Sequence, residues 1–201
     1  MEKFLKTASI VFHPVGMPIF GAALYFLITP KFFENTLVQI KLLSLVVLTI
    51  FVPLVFLFFL KKIGIVQSVH LKTARERRLP LLFFCVLTTL ILNYVLNDFY
   101  FEELYYFYCG ILFSGLTAFF LSLFKVKASL HLIGISGICM FTVAMSIYYQ
   151  SNLIFLIAFL IFSIGWTAAS RIQVKAHKPL ELIFGFFIGV LPQLILVQYW
   201  L

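Results

Sequence analysis

What this chain has least of is acid. Among 201 residues there are 7 Asp and Glu against 15 Lys and Arg, and Asp98 is the only aspartate. No Asp/His cage can be assembled from so few carboxylates, which argues against a hard-cation centre. Cysteine is scarce as well. Cys85, Cys109 and Cys139 fall in three different apolar runs with no paired spacing, so they read as small core residues and not as disulfides or metal ligands. The apolar runs lack the period-2 alternation of a barrel strand and far exceed one in length. No inverted repeat or pair of broken helices marks a transporter. The first run lacks a small-x-small cleavage site and is longer than a signal core, which points to a retained first helix.

What remains is overwhelmingly apolar: 63% hydrophobic residues with 26 Phe. That composition defines an all-α integral membrane protein, a single bundle of six to seven transmembrane helices occupying residues 1–201 with no separate domain in the short loops. Runs long enough to cross fall near 8–29, 37–60, 80–97, 104–124, 129–149, 152–170 and 180–200. His13-Pro14 and Pro18 predict an irregular entry into the first of these, and Pro80 marks entry into the third.

If the spans alternate, the N-terminus and the loops 61–79, 125–128 and 171–179 share one side. That side carries nearly all the Lys and Arg, whereas the other has Lys31 with Glu34, Asp98, Glu102 and Glu103. By the positive-inside rule the basic side is cytoplasmic, giving a multi-pass protein of the inner (cell) membrane with its N-terminus inside. The same side holds every candidate for chemistry.

The polar island Ser170-Arg171-Ile-Gln-Val-Lys175-Ala-His177-Lys178-Pro179-Leu-Glu181 closes one apolar run and opens the next. It supplies a hydroxyl, a guanidinium, an imidazole and a carboxylate, a set suited to phosphate: forked donors for the phosphoryl oxygens, a nucleophile, and a group that holds its tautomer. The same residues also read as a helix start, with Pro179 in the first turn and Glu181 at the positive end of the dipole. In the loop 61–79, Lys72, Arg75 and Arg78 recur every three residues, and His70 lies beside them; a juxtamembrane cluster drawn to anionic lipid has this form too. The third cluster, Lys125-Val-Lys127-Ala128-Ser129-Leu130-His131, puts Ser129 at a helix start, as an N-cap or as an anion ligand. His13, His70, His131 and His177 all fall on the basic side, as a haem protein would require, but the charges around three of them suit phosphate better.

In chain order the three clusters resemble the signature of the type 2 phosphatidic acid phosphatase family: Lys-x6-Arg-Pro, then Pro-Ser-Gly-His, then Ser-Arg-x5-His-x3-Asp. Ser170-Arg171, His177 and Glu181 reproduce the third with Glu for Asp. Ser129 and His131 keep half of the second, with Ala128 for Pro and Leu130 for Gly. Lys72 stands six positions before Arg78 instead of seven, and Leu79 separates Arg78 from Pro80. The resemblance covers residues from about 60 to the C-terminus, leaving 8–29 and 37–60 as extra N-terminal helices. It implies a metal-independent hydrolase of lipid phosphates that needs no cofactor. In this scheme His177 attacks phosphorus to form a phosphohistidine, Glu181 orients it, and His131 protonates the leaving alcohol. Lys72, Arg78, Ser129, Ser170 and Arg171 would hold the phosphate, with Arg75, His13 and His70 as accessory residues. The expected partners are a lipid phosphate and membrane lipid, not nucleic acid. An inactive family member serving as a lipid-binding scaffold is the alternative that Leu130 and the altered first motif suggest.

Overall fold

In hydrocarbon a backbone has no water to bond, so each apolar run must satisfy its own N–H and C=O groups as helix. The computed structural model describes residues 2–68, 71, 73–97 and 99–201; the candidate residues His70 and Lys72 lie outside the described residues. Eight helices and no strand are found among them. They are α1 (Glu2–Val11), α2 (Met17–Ile28), α3 (Asn35–Lys62), α4 (Ala74–Tyr94), α5 (Glu102–Leu123), α6 (Leu130–Tyr148), α7 (Ile154–Gln173) and α8 (Pro179–Leu196). Six of these, α3 to α8, are long and apolar enough to cross a membrane.

Two boundaries differ from the sequence reading. The run 8–29 is not one helix, because His13 takes an extended conformation (φ −67°, ψ 132°) ahead of Pro14, and a 3₁₀ turn at Pro14–Gly16 separates α1 from α2. Helix α4 starts at Ala74 and carries Pro80 inside it. Thr73 and Glu76 form a capping box, the Thr73 hydroxyl accepting from Glu76 N and the Glu76 carboxylate accepting from Thr73 N, so the helix is nucleated before the proline is reached.

Four helix ends on short loops are closed by a residue in the left-handed region: Gly64, Lys125, Gln150 and Lys175, at φ of 78°, 62°, 50° and 51°. At Lys175 the paired bonds of a Schellman motif are present, Lys175 N to Ile172 O and Ala176 N to Arg171 O. Three of the four are not glycine, which hides these stops from a sequence reading.

Helix α6 is central and packs most closely on α8. A Cβ at Gly189 would lie 2.4 Å from the Ile133 carbonyl oxygen, and one at Gly185 would lie 2.7 Å from that of Ser129. Only glycine lets these backbones approach so far. The approach brings Ser129 N to the Glu181 carbonyl at 3.0 Å, locking the start of α6 to the first turn of α8. At the opposite end of the bundle Glu103, 1% exposed, accepts from Lys31 Nζ at 2.6 and 2.9 Å, from Tyr149 at 2.6 Å and from Tyr25 at 3.1 Å. Each end of the molecule is thus tied by polar contacts across an apolar middle.

Candidate functional site

The three basic loops do converge. Arg77, 7% exposed in the first turn of α4, donates from Nη1 to Ala128 O at 2.8 Å and from Nε to Leu71 O at 3.1 Å. Lys127 Nζ reaches Ala176 O at 2.7 Å. The loop before α4 is thereby stitched to the loop before α6, and that loop to the one before α8.

Within this knot the His177 side chain is 1% exposed, and its Nδ1 lies 2.9 Å from Glu181 Oε2. The same oxygen accepts from Lys178 N at 3.1 Å. Glu181 thus caps the start of α8 and also holds the His177 imidazole. A carboxylate only accepts, so Nδ1 carries the proton and the lone pair of the neutral ring is at Nε2. Burial first, and then the Arg77 charge, hold the His177 pKa down at about 4, so the ring is neutral at pH 7. Lys127 is shifted down as well, by burial and by Arg77.

The remaining candidates sort themselves by partner. His131 Nε2 lies 3.2 Å from Ser9 O, and its ring meets that of His13 edge to face at 5.5 Å. Ser170 is buried with its hydroxyl 2.7 Å from Ser9 Oγ, and Arg171 Nη1 donates to the same hydroxyl at 3.3 Å. Ser129 is 0% exposed; its Oγ makes no capping bond and has no hydrogen-bond partner, nor has Arg171 Nε. Arg75 is exposed. Arg78, expected on phosphate, instead donates to Ser122 O at 3.2 Å and Leu123 O at 3.3 Å, where it caps the C-terminus of α5.

Two residues at this site were missed by the motif reading. Arg77 rather than Arg78 is the arginine turned inward, and a helix start at Ala74 is what decides which of the two adjacent side chains faces the bundle. Ser9 could not have been found, since nothing in its surroundings in sequence marks it.

A cavity of about 990 Å³ opens under these loops. Its mouth is cationic, lined by Arg77, Lys127, Arg171 and Lys175 with His13, His131 and Ser9, while its depth is lined mainly by apolar residues of α2 to α6, with Thr49, Ser114 and, from α8, Gln193 among them. Ala176 is part of the wall, so the His177–Glu181 pair stands one residue behind it. Leu130, the departure from the family's glycine, lines the cavity too. Among the described residues no group of three His, Cys, Asp or Glu is placed to hold a metal ion. Compared with known proteins, the chain matches no family model, no curated protein and no solved structure.

Proposed function

We propose that this protein is a membrane-embedded phosphatase that hydrolyses a phosphomonoester or pyrophosphate on a lipid headgroup. The observation that carries the reading is a cavity cationic at its mouth and apolar within, with a neutral, carboxylate-oriented imidazole directly behind the mouth. An anionic head on a hydrocarbon body is the ligand such a cavity complements. In the proposed cycle His177 Nε2 attacks phosphorus, the P–O bond to the lipid breaks, and His131 in its protonated form gives its proton to the leaving oxygen. His131 then takes a proton from water as the water oxygen bonds phosphorus and the N–P bond breaks. Arg77, Arg171 and Lys127 neutralise the phosphoryl oxygens throughout, the main demand of a loose phosphoryl transition state. The excess of Lys and Arg at this end favours a cytoplasmic orientation for it.

One observation favours the alternative, a lipid-binding scaffold without turnover: the His177 side chain is 1% exposed and does not line the cavity. Phosphate release decides between them. Detergent-purified protein is given phosphatidate, phosphatidylglycerol phosphate, a prenyl pyrophosphate or a lipid A phosphate, with chelator present and His177→Ala run in parallel. Turnover that survives chelator and is lost in His177→Ala is expected. Binding without release from any of the four would leave the scaffold.

A further inference from the structure

Resting on the reading of the cavity as a lipid phosphate site, we infer that the hydrocarbon tail of the bound lipid enters the bundle itself and is measured there, instead of staying in the surrounding bilayer. The cavity does not end at the basic loops. On α5 it is lined from Ala118 down to Phe107, about 16 Å of helix at 1.5 Å per residue and about half of a membrane's hydrocarbon core. Its floor is formed where Gln193 of α8 reaches across to Phe107.

The chemistry of the walls is that of a tail site. The polar residues lining the depth turn their donors onto backbone carbonyls: Thr49 onto Leu45 O at 2.7 Å, Ser114 onto Ile188 O at 2.8 Å, and Gln193 Nε2 onto Phe107 O at 3.0 Å. With those donors engaged, the remaining surface is aliphatic and aromatic, and every charged residue of the lining belongs to the mouth. A ligand that places its phosphate among Arg77, Arg171 and Lys127 has its ester oxygen pointing down this shaft.

The test is affinity, measured by calorimetry on the protein in nanodiscs of zwitterionic lipid, for butyl, hexyl, octyl and decyl phosphate below their micelle concentrations. Full burial from water would tighten binding by about fourfold per methylene as an upper limit; at least twofold per methylene is expected until the floor is reached. Ala118→Phe, high in the shaft, should flatten this series after the shortest ligands. Ile111→Ala, lower down, should carry the gain on to longer chains and guards against a misfolded first variant. A series that keeps its slope in both variants, each monodisperse by size exclusion, overturns the inference, because the tail is then held elsewhere. Phosphate release is scored separately: a chain-length slope without turnover would sink the phosphatase reading and leave the tail site standing, whereas turnover with a slope insensitive to both variants does the reverse.

Discussion

At the scale of single residues, the proposed chemistry rests on which nitrogen of His177 keeps a proton. Glu181 fixes it at Nδ1, and burial first, then the charge of Arg77, keep the second proton off Nε2 down to a pH of about 4. In the proposed cycle the nucleophilic imidazole must be neutral, so the acid side of the pH profile is set by protonation of His177 as pH falls through its folded-state pKa. The acid limb of kcat/KM is therefore expected near pH 4 rather than near the 6.5 of a free histidine. Arg77→Gln removes a charge that opposes protonation, so the pKa rises and the limb moves to higher pH. A pH–rate series on both proteins reads this directly, and an unmoved limb would contradict the role given to Arg77. Linkage gives the same sign for folding. Between about pH 6.5 and 4 the unfolded chain binds a proton at His177 that the folded one does not, so stability falls as pH falls through that window.

At the scale of elements, the close approach of α6 and α8 holds the site together more than any loop does. Ser129 and Glu181 meet because Gly185 and Gly189 let the two backbones approach. Gly189→Leu forces a side chain against the Ile133 carbonyl, and the overpacking is expected to cost about 1–3 kcal/mol. A lower melting temperature in detergent checks this, and phosphate release should fall with it, since separating the helices pulls Glu181 away from the start of α6. Helix α1 is the second element of consequence. Through Ser9 it contacts Ser170, Arg171 and His131 at once, so the N-terminal segment packs directly against the candidate site.

At the scale of the whole molecule, the two ends have separate polar anchors. Glu103 is buried and satisfied by Lys31, Tyr149 and Tyr25 at the end away from the cationic mouth. Glu103→Ala leaves these donors without their acceptor, and about 1–3 kcal/mol of stability should be lost, as for buried donors left unsatisfied, Lys31 itself being partly exposed. Because the change lies at the far end, phosphate release per folded molecule should stay as it was. Thermal unfolding and turnover measured on the same preparation separate the two effects.

The all-helical membrane architecture follows from composition alone, because long uncharged runs can satisfy their backbones in lipid only as helix. The gathering of Ser129, His131, Ser170, Arg171, His177 and Glu181 at one end was legible for a related reason: helices of fixed length alternate in direction, so loops of the same parity must meet. What the sequence hid were choices made by packing. Lys125, Gln150 and Lys175 stop helices without glycine, because a loop already held in place can impose a left-handed residue. The selection of Arg77 over Arg78 depends on a capping box that starts α4 ahead of a proline. The contact of Ser9 with residues some 160 positions away depends on a helix break at Pro14 that folds α1 back onto α7. Local chemistry determined what each segment is; the tertiary fold decided which side chain of each faces the cationic cavity, because that choice turns on helix phase and on contacts distant in the chain.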